Sequence, residues 1–440
     1  MPLFSRELRS WIEPADVFLT LYGADENAFW LDREHHHSER YSVLGHAPDE
    51  GVFTAEEALE SLEPDVSALE GLSDLPFAWR PGFVGWFDYW ADPLDSASLT
   101  GSWLKVSEAI VFDHDHRKIW MVGEFRDSNH FEEWIRGALL RLSLSGGRRV
   151  AHLLKHRGDA PAKLTSMQHS SEAYIDLVES VQRYIAAGDV YQLCLTNRLD
   201  FSHQTDPLAV FLRLRHANPA PYAAYIKVGS RALVCSSPEQ FLTVDADRSV
   251  VTRPIKGTRP RYEDPVLDAE QSYQLSSDQK ERAENLMIVD LMRNDLARVS
   301  EPDSVNVTDL FVVEPYATVH QLVSTVSSTL REDVSVRQLI ESAFPGGSMT
   351  GAPKIRACQL ISELEGVSRG TYSGAAGYLA NDGTLDLGMV IRSLVFDGSQ
   401  VSIGVGGGIT IDSQPRAELD ETKLKAKALL AAIGAANPWG

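Results

Sequence analysis

Apolar residues recur at helical spacing in three places along the chain. Tyr174, Leu177, Val178, Val181, Tyr184 and Ile185 share one face, and Gly188 follows as a stop. Lys280 to Ala297 repeats the pattern, with Leu286, Val289 and Met292 on one side. A last helix is predicted from about Ala417 to Ile433. Elsewhere the pattern is that of strands. Two runs flank Asp245-Ala246-Asp247-Arg248, and three strand-like runs near the end are divided by tight turns at Asn381-Asp382-Gly383 and Asp397-Gly398-Ser399. Earlier, Ala109-Ile110-Val111-Phe112, a turn through Asp113-His114-Asp115-His116-Arg117, and Ile119-Trp120-Met121-Val122 predict a hairpin.

Strands joined by short turns run antiparallel. The expected class is therefore α+β with large antiparallel sheets, not a doubly wound parallel sheet. Residues 1–150 read as a β-rich region with helical insertions, and residues 165–440 carry most of the helical signal. Gly146 to about Ser170 is basic, polar and poorly patterned, and is expected to be a linker or excursion. No short repeat is evident. A chain of 440 residues corresponds to two or three domains of ordinary size, or to one large layered domain.

Apolar residues make up 43% and charged residues 23%, as in soluble globular proteins. No run approaches the roughly 20 apolar residues of a membrane span, so no membrane partner is expected. Met1-Pro2-Leu3-Phe4-Ser5-Arg6 opens no secretory signal. Cys194, Cys235 and Cys358 are scattered and odd in number, which fits reduced thiols in a cytoplasmic protein rather than a zinc knuckle or disulfide frame. The net charge of −21 argues against nucleic acid as a partner. An anionic substrate would then need a local basic or backbone-amide pocket, or a divalent cation.

Several segments carry candidate chemistry. Glu284, in Arg282-Ala283-Glu284-Asn285, and Glu421, in Leu419-Asp420-Glu421-Thr422, lie on two separate helices. Two carboxylates suffice for a hard cation such as Mg²⁺, which keeps several waters; most glutamates on polar helix faces are merely solvated. Gly404-Val405-Gly406-Gly407-Gly408-Ile409-Thr410 would let backbone N–H groups approach an anion, or simply bend a strand. Gly346 to Lys354 lacks the order of a P-loop. Lys256, in Pro254-Ile255-Lys256-Gly257-Thr258-Arg259-Pro260-Arg261, is a candidate nucleophile or part of a basic surface turn. His35-His36-His37 sits in a polar, charged stretch that reads as a solvated loop more readily than as a metal site, and His114 and His116, in the predicted turn, read the same way.

Taken together, these segments resemble the chorismate-utilising enzymes, a family that includes component I of the anthranilate and aminodeoxychorismate synthases and the isochorismate and salicylate synthases. The resemblance is strong over about 170–435 and rests on Gly188-Asp189-Val190-Tyr191-Gln192, Ser236-Ser237-Pro238-Glu239-Gln240-Phe241, the Pro-Ile-Lys-Gly-Thr run and Ala283-Glu284-Asn285-Leu286-Met287-Ile288-Val289-Asp290-Leu291. It continues through His320-Gln321-Leu322-Val323-Ser324, Pro345 to Lys354, Tyr372-Ser373-Gly374, Ile391-Arg392-Ser393, the glycine run and Glu421-Thr422. Arg40 to Gly45 and Gly82 to Tyr89 match more loosely.

The resemblance implies one large unit of two packed antiparallel sheets with helices outside and a cleft between them. It implies chorismate as substrate and Mg²⁺ held by Glu284 and Glu421. It further implies substrate contacts from Gln192, Thr258, Tyr372, Arg392, the Gly406 and Gly408 amides and Lys425. Glu239 matches the general acid, and His320 a histidine near the same end of the ring. Members that add water at C2 carry a lysine base where Gln192 stands, so an amine-transferring branch is implied. Anthranilate synthases resemble Pro-Ile-Ala-Gly-Thr at the second motif; Lys256 here is the form of the branch that aminates C4. Ammonia is then expected from a separate glutaminase subunit or from solution, because no Cys/His arrangement of a class I amidotransferase is found. Anthranilate synthase component I is the alternative, and a catalytically silent chorismate-binding subunit the rival from another class.

Overall fold

The computed structural model describes residues 1–38, 40–62, 75–94, 99–145 and 161–439. Two antiparallel sheets dominate it. The twelve-stranded sheet runs, in order, Leu3–Glu7, Lys118–Glu124, Glu108–Asp113, Tyr41–His46, Asn27–Asp32, Tyr222–Val228, Arg231–Ser237, Ser393–Asp397, Gln400–Ile409, Gln192–Ser202 and Gly351–Ala352, with Lys163–Met167 also on Gln192–Ser202. The ten-stranded sheet runs Ile255–Pro260, Val319–Thr329, Ser249–Arg253, Gln240–Val244, Leu385–Met389, Ala375–Ala380, Gly82–Phe87, Gly101–Val106 and Val52–Thr54, with Asn306–Pro315 on Val319–Thr329. Strands from before residue 150 and after residue 160 pair within both sheets, as in Asn27–Asp32 beside Tyr222–Val228 and Gly82–Phe87 beside Ala375–Ala380.

The inner faces meet in a core of Phe29, Leu31, Trp86, Leu104, Leu233 and Tyr378, drawn from both sheets. Helices cover the outer faces because each sheet has a second apolar side to bury. Pro14–Leu21, Pro207–Ala217 and Pro415–Ala432 lie on the larger sheet, packing Phe18, Phe211 and Leu429. Gln279–Ala297 and Val336–Ala343 lie on the smaller, through Ile288, Met292 and Leu339.

The helical periodicities are realised as Ser171–Ala187, Gln279–Ala297 and Pro415–Ala432. Ser170 caps the first by accepting from the Ala173 N–H, and Gly188 ends it at φ 85°. The predicted hairpin is Glu108–Asp113 paired with Lys118–Glu124. Three expectations need revision. Leu286, expected to share a face with Val289 and Met292, is 43% exposed, because the buried face of its helix runs through Asn285, Ile288, Val289 and Met292. The C-terminal part of the expected 146–170 linker is a strand, Lys163–Met167, and the N-terminal part, 146–160, lies outside the described residues. The three late strand-like runs are four strands. Leu385–Met389 and Ser393–Asp397 belong to different sheets, and Arg392, at φ 51°, stands at the crossing between them.

Candidate active site

Near the ends of the glycine-rich strand the two sheets and two helices converge. Gln400–Ile409 pairs with Gln192–Ser202, setting Thr196 opposite Gly406 and Cys194 opposite Gly408. A methyl group added at Gly408 would lie 2.5 Å from Gln192 Nε2 and 3.1 Å from Lys256 Nζ. One added at Gly407 would lie 3.4 Å from Lys425 Nζ, 3.6 Å from Glu418 Oε2 and 3.9 Å from Glu421 Oε1. The bare backbone is therefore what allows these side chains to crowd one place.

Lys256 reaches this place because its strand is irregular. Register with Val319–Thr329 slips between Ile255 and Thr258, and Gly257 in the gap takes φ 83°. Bulges re-aim side chains in this way. Glu239 follows the strand Arg231–Ser237 and is 6% exposed. Burial pushes its carboxyl up to about 7, against the opposing pull of the Ser348 hydroxyl, the Lys256 ammonium and the Ile255 N–H. A carboxyl in that range can hold a proton at neutral pH and release it.

A second group is acidic. Glu284 and Glu421 project from Gln279–Ala297 and Pro415–Ala432. Burial raises the Glu284 carboxyl, with Lys256 and Lys280 opposing. Burial pushes up the half-exposed Glu421 carboxyl, but Lys425, 2.7 Å away, together with Lys256 and Lys280 outweighs it and holds that carboxyl below its ordinary value. Lys425 also donates to the Gly406 carbonyl at 2.7 Å. Glu284 Oε1 is buried without a hydrogen-bond partner among the described residues. That orphaned oxygen, in an all-oxygen donor set, fits a hard cation. Among the described residues no three metal-ligating side chains are grouped, so water and substrate oxygens would complete the shell.

Tyr372 and Arg392 lie at the far side of this region. Tyr372 is buried, and its phenol is pushed well up by burial. Burial lowers the Arg392 guanidinium, and the nearby Tyr372 and Glu421 resist the change. The Arg392 carbonyl accepts from the Ser236 N–H at 3.1 Å, but its guanidinium makes no hydrogen bond or ion pair with the described residues, an open fork suited to a carboxylate. Its left-handed backbone carries strain of roughly 1–3 kcal/mol of the kind that clusters at binding sites. A cavity of about 650 Å³ shares Tyr372 and Gly404 with this region but includes none of Lys256, Glu239, Glu284 and Glu421. The convergence of side chains, and not that cavity, marks the candidate site.

Two predicted residues stand apart. Thr258 is exposed, two residues beyond Lys256 and past the bulge, with its backbone opposite Gln321. His320 is buried and bonded through Nε2 to Asp268 at 2.9 Å, and none of its hydrogen bonds among the described residues reaches Glu239. His114 bonds Ser42 and His116 bonds Asp113. Sequence reasoning missed Lys280, Glu281, Glu418 and Ser348. A signal existed for the acids: Glu281 with Glu284, and Glu418 with Glu421, are i,i+3 pairs on one helix face each.

Fold and site together define an α+β protein whose cleft sets a buried acid, a lysine, an acidic pair and an open arginine around a glycine-rich strand. The chain matches the model of the chorismate binding enzymes over residues 26–431 and belongs to that family. It is 38% identical to an aminodeoxychorismate synthase of Streptomyces griseus, over 96% of this chain and 63% of the relative. It is 45% identical to aminodeoxychorismate synthase component 1 of Escherichia coli K12, over 59% of this chain and 57% of the relative. The chain thus spans less than two thirds of the length of these relatives. Anthranilate synthase component I from Streptococcus pneumoniae superposes with a TM-score of 0.74 at 25% identity, covering 98% of this chain and 92% of that one.

Proposed function

We propose that the chain is component 1 of an aminodeoxychorismate synthase, converting chorismate and ammonia to 4-amino-4-deoxychorismate for 4-aminobenzoate and folate synthesis in the cytoplasm. The observation that carries this reading is the bulge-presented Lys256 beside Glu239, whose carboxyl is raised to about 7. Lys256 Nζ, as the free amine, bonds to C2; both ring double bonds shift, C1=C2 to C1=C6 and C5=C6 to C4=C5, and the C4–O bond breaks. Glu239 protonates the departing oxygen, so that water leaves. Ammonia then bonds to C4, both double bonds shift back to C5=C6 and C1=C2, and the C2–N bond breaks to return Lys256. Splitting the substitution in two lets each step pass a lower barrier.

In this reading Arg392 and Tyr372 hold the enolpyruvyl carboxylate, with the Gly406 and Gly408 amides beside them. Lys425 and Gln192 face the ring. Glu284 and Glu421 would hold Mg²⁺, which supplies positive charge for the ring carboxylate inside an acidic protein. Thr258 and His320 keep only outlying roles in orienting the site. A separate glutaminase subunit supplies ammonia, in keeping with the component 1 designation of the Escherichia coli relative.

The similarity to Streptococcus pneumoniae anthranilate synthase component I favours a second reading, amination at C2. Purified chain incubated with chorismate, Mg²⁺ and ammonium at mildly alkaline pH separates the two. The product gives 4-aminobenzoate when an aminodeoxychorismate lyase is added if the first reading holds. Anthranilate from the wild-type chain supports the second, and surviving chorismate would favour a silent subunit or one that needs its partner.

A further inference from the structure

Lys280 belongs to none of the roles assigned above, yet it lies on the candidate cation site. Asp278 fixes the first turn of Gln279–Ala297 by accepting from the Lys280 and Glu281 N–H groups at 3.0 and 3.2 Å. From that turn Lys280 Nζ comes 3.7 Å from Glu284 Oε1, one helical turn on. It also spans to the C-terminal helix, 3.4 Å from Glu418 Oε1. Both carboxylates are buried, at 7% and 5% exposure, whereas the lysine side chain is 46% exposed. One ammonium thus bridges two buried acids from the solvent side.

At 3.7 Å the contact with Glu284 is an ion pair and not a hydrogen bond, and Glu284 Oε1 has no other partner among the described residues. The oxygen is left open to a shorter ligand. Mg²⁺ binds carboxylate oxygens at roughly 2.1 Å, so a cation on Glu284 and the Lys280 ammonium would be close like charges in a poorly hydrated site. They cannot share it without strong repulsion. Glu418 has a second anchor, the Ser413 hydroxyl at 2.7 Å, which keeps it oriented when the lysine leaves.

We propose that Lys280 is a resident counter-cation that neutralises Glu284 and Glu418 in the metal-free protein and must be displaced to solvent when a divalent cation binds. The lysine holds the acidic cleft together without metal and sets metal affinity below what the carboxylates alone would give. This inference rests on the reading of Glu284 and Glu421 as cation ligands.

Mn²⁺ serves as the probe, its free concentration followed by electron paramagnetic resonance without chorismate, on the wild-type chain, Lys280→Met, Lys280→Arg and Glu284→Gln. Lys280→Met should bind Mn²⁺ about tenfold tighter than wild type, Lys280→Arg should stay near wild type, and Mn²⁺ should raise the Tm of Lys280→Met by more than that of wild type. Lys280→Gln serves as a second uncharged variant if the methionine protein fails to fold. Equal or weaker binding by the uncharged variants, with wild-type binding intact and abolished by Glu284→Gln, would overturn the role of Lys280. Mn²⁺ binding that Glu284→Gln leaves unchanged would overturn the ligand assignment, and the inference with it.

Discussion

Gly404 lies flat against the ring of Tyr372: a methyl group on Gly404 would stand 2.1 Å from Tyr372 Cγ. The glycine therefore makes room for the ring that lines the arginine side of the cleft. Gly404→Ala should push Tyr372 from its seat and destabilise the fold by about 1–3 kcal/mol, the usual range for overpacking. Chemical denaturation reads the stability loss, and a KM for chorismate raised more than kcat falls reads the displaced ring. A variant with wild-type stability and KM would show that the contact is not tight.

Glu239 predicts a pH signature. Its folded carboxyl titrates at about 7, above the ordinary glutamate value, so the native chain binds more protons than the unfolded chain between about 4.5 and 7. Stability from this group is full below that window and is lost as pH rises through about 7. Glu239→Gln should be more stable than wild type at pH 8, with the difference vanishing near pH 4. Its kcat should fall by roughly 10²–10⁴. The wild-type kcat/KM should lose a protonated group near pH 7, and the kcat limb should move higher, since bound dianionic chorismate raises a neighbouring acid. A pH profile unchanged by Glu239→Gln would remove the residue from proton transfer.

Glu365 and Arg369 form a bidentate buried pair at 2.6 and 2.8 Å. Glu365 also accepts from the Thr196 N–H and hydroxyl, and Arg369 donates to the Met349 and Cys194 carbonyls. This clamp fixes the strand opposite Gly406. Glu365→Ala leaves a buried guanidinium without its partner and should destabilise the fold by about 3–5 kcal/mol. Urea denaturation checks it; a loss below about 1 kcal/mol would mean that water reaches the arginine.

Periodicity placed the long helices well because their buried faces are continuous. The strands from Leu385 to Asp397 misled it for a physical reason. Both are apolar, and hydrophobicity does not register the backbone turning at Arg392 from one sheet to the other. The motifs singled out Lys256, Glu239, Glu284 and Glu421, which the fold brings close to one another. They could not reveal that Lys280 meets Glu418, 138 positions away, because that contact exists only after two helices dock. Glu365 was missed for a related reason: with Arg369 four residues on, it reads as a solvated surface pair until the fold buries both against Thr196, Met349 and Cys194.

The central claim is covalent participation of Lys256, and peptide-resolved mass spectrometry tests it most directly. Wild-type chain is mixed with chorismate and Mg²⁺, ammonia is withheld, and the mixture is acid-quenched and digested. The account predicts an adduct of chorismate less one water on the peptide containing Lys256, lost on adding ammonium and absent from Lys256→Ala. No adduct at any time, together with anthranilate as the wild-type product once ammonium is supplied, would contradict it.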